Sequence, residues 1–69
     1  PNPVKNFLTL SYTQDISDVA VFNLLGQQVL TKKVNATESQ IDMSNLSQGT
    51  YLVKVTVGDQ VKTIKVMKQ

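Results

Sequence analysis

The stretch Leu46-Ser47-Gln48-Gly49-Thr50-Tyr51-Leu52-Val53-Lys54-Val55-Thr56-Val57-Gly58-Asp59-Gln60-Val61-Lys62-Thr63-Ile64-Lys65-Val66 sets the packing of everything before it. Tyr51, Val53, Val55 and Val57 recur at every second residue, the period of a strand with one buried face. Leu52, Lys54 and Thr56 point the other way, where an ammonium and a hydroxyl stay in water. Gly58-Asp59 separates this strand from a second run, residues 61–67, as a two-residue hairpin loop in which glycine tolerates positive φ. That loop length predicts Val53 opposite Ile64, Tyr51 opposite Val66, Lys54 opposite Thr63 and Leu52 opposite Lys65, with both inner faces apolar. A three-residue loop would set Lys65 against Val53 on the core face, since a slip of one residue turns every side chain over. Val55 then faces Lys62, whose stem can cover apolar surface while its ammonium reaches water.

Leu46, Gly49, Tyr51 and Val53 have the spacing of the corner that opens one strand of immunoglobulin-like sandwiches, which this segment resembles. Tyr51 is accordingly expected as a structural clip, its hydroxyl bonded to nearby backbone, because a buried phenol needs a partner.

Sixty-nine residues make at most one small domain, and the start at Pro1 rather than Met reads as a piece of a longer chain. There is no Cys and no His. The usual zinc ligands, a thiol nucleophile and the commonest general base are therefore missing, so neither enzyme activity nor a cofactor is expected. The acids Asp15, Asp18, Glu38, Asp42 and Asp59 fall mainly in turns or on outer faces, with no carboxylate pair. A net charge of +2, seven lysines without arginine and only four aromatics do not point to nucleic acid. No apolar run approaches the ~20 residues of a membrane span.

Pro1-Asn2-Pro3 reads as the junction between a linker and the domain, since two prolines cannot sit in a central strand. Residues 6–12 follow as a first strand, with Leu8, Leu10 and Tyr12 on one face, and residues 13–17 as a polar turn. Residues 18–23 carry apolar side chains on both faces and are a candidate central strand. Asn23-Leu24-Leu25-Gly26 reads as a turn, Asn23 accepting local backbone bonds and Gly26 supplying a left-handed conformation, with residues 28–34 returning as hairpin partner. Leu24 and Leu25 either pack over one end of the fold or form an exposed docking tip. Residues 40–43 make a short strand with Ile41 and Met43 inward. The fold expected is all-β, an immunoglobulin-like β-sandwich of six to seven short antiparallel strands.

Pro1-Asn2-Pro3 at the start, Val21-Phe22-Asn23-Leu24-Leu25-Gly26-Gln27 in the middle, Leu46-Ser47-Gln48-Gly49-Thr50-Tyr51-Leu52-Val53 later and the basic ending Lys65-Val66-Met67-Lys68 together resemble the C-terminal sorting domain of type IX (Por) secretion cargo in Bacteroidota. The resemblance covers the whole chain, residues 1–69. It implies a non-catalytic signal at the end of a secreted protein, recognised by the outer-membrane translocon after passage through the periplasm. It also implies that a cell-surface sortase removes the domain and anchors the cargo at the surface. The signal would map to residues 51–57 and 62–69, with Lys62, Lys65, Val66, Met67, Lys68 and Gln69 as recognition candidates. Pro1, Asn2, Pro3, Gly26, Leu46, Gly49, Tyr51 and Gly58 are the structural positions of the motif. Phe22 stands where tyrosine is frequent in that family.

An exposed final strand suits recognition by strand addition, although edge lysines also serve simply to block aggregation. The same edge could pair with a second copy. The alternative function is a structural or adhesive immunoglobulin-like module on a surface enzyme, for which the few aromatics offer little carbohydrate platform.

Overall fold

The computed structural model describes residues 3–69; Pro1 and Asn2 lie outside the described residues. It contains β1 (Phe7–Phe22), β2 (Gln28–Asp42), β3 (Gly49–Val57) and β4 (Gln60–Lys68). All pair antiparallel in one sheet of order β2-β1-β3-β4. The all-β expectation holds, but in place of six to seven short strands the described residues form four, two of them long. Physically, the reason is the distribution of breakers: the chain has no Gly or Pro between Val4 and Leu25 or between Gln27 and Gln48. Without them the ladder continues through residues 13–17, whose polarity suggested a turn. Residues 13–17 form no turn; they are a zone of register shifts inside β1, between Ser11 and Ile16 and again between Ile16 and Asp18. On β2 the matching irregularity holds Asn35 at φ 53°, a left-handed value that asparagine tolerates.

These irregularities fold the sheet over. Sixteen residues of β1 at about 3.3 Å each would reach ~53 Å, yet the longest extent of the molecule is 30 Å. The pairing shows where β1 turns back. Asp18 lies opposite Thr56 near the Gly58 hairpin and Phe22 opposite Leu52 near its far end, while Val4, ahead of β1, bridges Lys68 at that same far end. The first arm of β1 (residues 7–11) therefore runs toward the Gly58 hairpin and the second (18–22) runs back, bent at a β-bulge as sheets commonly are. Between the two arms of the sheet lie Leu8, Leu10 and Ile41 on one side and Val19, Val21, Val53 and Val66 on the other, all in one core with Ile16 and Met43. Lys32 braces the fold from the β2 edge by donating its Nζ to the Gln40 carbonyl at 2.8 Å, across from one arm of β2 to the other.

Burial follows the expected alternation in most places, and the exceptions are informative. Val19, Val21 and Val53 are fully buried in the central pair, β1 with β3, and each buried valine contributes about 1.5–3 kcal/mol. Ile41 and Met43 point inward as expected. Tyr12 does not join Leu8 and Leu10; it lies beyond the start of the bulge, 38% exposed, with the Lys62 Nζ 5.5 Å from its ring centroid. Ile16, inside the expected polar turn, is a core residue.

The β2–β3 corner contains one titratable group held away from its ordinary pKa. Asp42 Oδ1 accepts from the Ser44 hydroxyl at 2.5 Å and the Ser44 amide at 2.9 Å. The hydroxyl bond first, then the amide bond, holds the Asp42 pKa below the ordinary carboxylate value. Its folded pKa lies below its unfolded one, so this contribution is complete above the unfolded value of about 4 and is lost as pH falls through the lower folded value. Asp42→Asn is expected to flatten the fall in stability below about pH 4, measured by urea denaturation across the acid range. An unaltered acid limb would contradict the assignment.

Candidate functional site

The β3–β4 hairpin has the predicted register throughout. Tyr51 faces Val66, Leu52 faces Lys65, Val53 faces Ile64, Lys54 faces Thr63 and Val55 faces Lys62, with Val57 and Gln60 closing the loop. Gly58 supplies the expected positive φ of 61°. The Tyr51 hydroxyl donates to the Ser47 carbonyl at 2.6 Å, so the clip exists as read from the spacing. Leu46 is partly buried against the core, and Gly49 at φ 156° starts β3 in a conformation that favours glycine. Tyr51→Phe is expected to cost about 1 kcal/mol by leaving the Ser47 carbonyl without this donor, read as a lowered urea midpoint; an unchanged midpoint would count against the clip.

β4 is an outer strand of the sheet, and its end is tied down by the start of the chain. The Val4 amide donates to the Met67 carbonyl at 2.7 Å, and the Gln69 amide donates to the Val4 carbonyl at 2.8 Å. These bonds show which residues of β4 aim their backbone groups away from β3. Met67 and Gln69 do, and by the alternation of an antiparallel ladder so do Val61, Thr63 and Lys65. The last third of the edge is thus capped by a parallel bridge to Val4, whose side chain is buried. Pro3, Gln48, Gly49, Met67, Lys68 and Gln69 line an open groove at this end of the molecule.

The recognition candidates divide by burial. Val66 is 2% exposed and belongs to the core, and Lys68 is 8% exposed with its Nζ donating to the Gln69 carbonyl at 2.8 Å. Lys62, Lys65, Met67 and Gln69 are exposed. The structure therefore does not bring all six to one surface. Ile64, expected on an apolar inner face, is 41% exposed because the folded-over layer does not cover the first half of β4. Among the structural positions, Pro3 is exposed at the groove, whereas Pro1 and Asn2 lie outside the described residues. Sequence reasoning missed Val4 as the clasp on β4; the only trace of it is a lone apolar residue between Pro3 and Lys5.

At the opposite hairpin, Gly26 has the expected left-handed φ of 86°. Asn23 Oδ1 accepts from the Leu25 amide and the Gln27 amide, each at 3.0 Å, and its Nδ2 donates to Gln27 Oε1 at 2.9 Å. Leu24 and Leu25 do not pack over the fold. They are 67% and 85% exposed on this braced turn.

The motif-bearing turn, the tyrosine clip and the tied-down final strand occupy one chain, and the family model for the secretion system C-terminal sorting domain matches residues 1–69. The chain belongs to that family. It is a type IX secretion sorting signal, the part of a cargo protein that directs export out of the cell to the surface or the medium, and it is itself non-catalytic. Ulvan lyase NLR42 of Nonlabens ulvanivorans is 38% identical over 61 residues, covering 86% of this chain and 11% of that enzyme. The sorting domain thus spans about a tenth of the length of this relative.

Proposed function

We propose that the sorting domain, residues 1–69 as one unit at the end of a longer secreted protein, carries its cargo through the type IX outer-membrane translocon by way of the periplasm. A cell-surface sortase then removes it and anchors the cargo. The observation that carries this reading is the edge strand β4: a folded, soluble-faced domain presents outward backbone groups at Val61 and Thr63 beside Lys62 and Lys65, a surface suited to strand addition. Lys62, Lys65, Met67 and Gln69 are the exposed recognition candidates on this strand, while Val66 and Lys68 serve it by holding the strand in place. Pairing of two copies through the same edge would compete with that partner. The folded-over sheet reads as an immunoglobulin-like sandwich in which each long strand serves both layers.

The test is a fluorescent reporter with the sorting domain at its C-terminus, expressed in a Bacteroidota host. Reporter in the medium or on the surface, shortened by the mass of the domain, is expected. Reporter kept in the periplasm with the domain folded by circular dichroism would overturn the proposal.

A further inference from the structure

Among the described residues, most of the exposed large apolar side chains gather at the end of the molecule away from the Gly58 hairpin. Leu24 and Leu25 lie there on the turn after Phe22, Val29 at the start of β2, Met67 near the end of β4 and Phe7 at the start of β1. Leu24 and Leu25 are the most exposed of them. Asn23 accepts from the Leu25 and Gln27 amides, so the leucines stand on a turn that is already fixed and loses little freedom when they are covered.

The same end carries a hollow. The groove lined by Pro3, Gln48, Gly49, Met67, Lys68 and Gln69 has a volume of about 570 Å³ and a mostly apolar wall, in the size range of natural binding pockets. Lys68 donates its Nζ to the Gln69 carbonyl, so what the groove offers an occupant is apolar contact rather than a bare ammonium. Gly49 pairs with Lys68, and Phe22 pairs with Leu52, which puts groove and turn at the ends of neighbouring strands.

Their placement decides what covers them. In the order β2-β1-β3-β4 the leucine turn joins β2 to β1, and the groove lies at the ends of β3 and β4. They therefore flank the central β1–β3 pair at matched distances, about two strand spacings or ~10 Å apart. A two-fold axis normal to the sheet, between the ends of β1 and β3, sets the leucine turn of a second copy over the groove of the first and the converse. A surface that meets itself in this way makes the interface of a closed symmetric dimer. Both complementary halves belong to this chain.

We propose that Leu24 and Leu25 of one copy seat in the groove of a second copy and receive its leucines in return, giving an end-to-end dimer of the sorting domain. Only the last residues of β4 enter the contact, and the edge at Val61 and Thr63 stays outside it. The contact is small. The molecule measures 30 × 21 × 16 Å, and nine residues of β3 at about 3.3 Å each lie along the longest of these. The end face of 21 × 16 Å then covers about 340 Å² per copy, against about 800 Å² per partner in a stable complex. The dimer is accordingly weak and reversible.

Sedimentation equilibrium of the purified sorting domain between about 10 µM and about 1 mM tests this. Leu24→Ser/Leu25→Ser and Met67→Ser are the variants, and thermal denaturation shows that each is folded; all three substitutions are at exposed positions. The expected result is a weight-average mass that rises toward twice the monomer in the wild type and stays at the monomer in Leu24→Ser/Leu25→Ser. Met67→Ser should raise the dissociation constant about fivefold or more. A wild type that remains monomeric over the whole range overturns the dimer. Association of the double serine variant equal to that of the wild type places the contact elsewhere, the β4 edge included, and overturns it as well. None of these outcomes involves export, so the export reading is decided by the reporter alone.

Discussion

Ile16→Ala is expected to destabilise the sorting domain by about 2–5 kcal/mol, the cost of truncating a buried large aliphatic side chain in a core that cannot fully collapse. Ile16 is 1% exposed and sits at the bend of β1, between the two register shifts, where it packs into the same core as Val19, Val53 and Ile41. A domain of this size has a total stability of about 3–10 kcal/mol. The loss is therefore a large fraction of the total and should lower the urea midpoint strongly. Equilibrium urea denaturation followed by circular dichroism decides the matter. A loss below about 0.5 kcal/mol, the range of ordinary surface substitutions, would mean that residues 13–17 are the polar turn their composition suggests and that the sheet does not fold over there.

Deleting residues 66–69 is expected to have an equal or larger effect. Val66 and Lys68 are buried, and the bonds from Val4 to Met67 and from Gln69 to Val4 go with the deleted segment. Burial of one valine at about 1.5–3 kcal/mol and two hydrogen bonds at about 0.5–1.5 kcal/mol each bring the loss to ~2.5–6 kcal/mol. Val4, buried only while this clasp holds, adds to it. By contrast Met67→Ser, at an exposed position, should change stability by less than about 0.5 kcal/mol. A truncated domain with an unchanged urea midpoint would show that the tail is an appendage. The consequence for export is direct: secretion lost on removing the tail reports on folding as well as on recognition, and only point variants at Lys62, Lys65 or Gln69 separate the two.

The contrast between what was legible and what was not follows from the range of the interactions. The β3–β4 hairpin could be read pair by pair because a two-residue loop at Gly58-Asp59 and period-two valines are local signals. The Tyr51 clip and the Asn23–Gly26 turn were legible for the same reason, each closing within four residues. The strand count was not, because the cue for a turn at residues 13–17 was polarity alone, and polarity does not end a ladder where no Gly or Pro interrupts it. Nor was the burial of Lys68, where Val4 meets the end of β4 from more than sixty residues away in sequence. Half of the proposed edge was therefore visible as lysines on a strand, while the division between core and surface within that strand needed the tertiary fold.

The most direct test of the export role is the location of the reporter carrying the sorting domain in two otherwise identical Bacteroidota hosts, one with an intact type IX translocon and one in which the translocon is inactivated. Extracellular or surface reporter in the first and periplasmic reporter in the second is the expected result. Equal export from both hosts would contradict it, because the domain would then leave the cell by a route that does not read this fold.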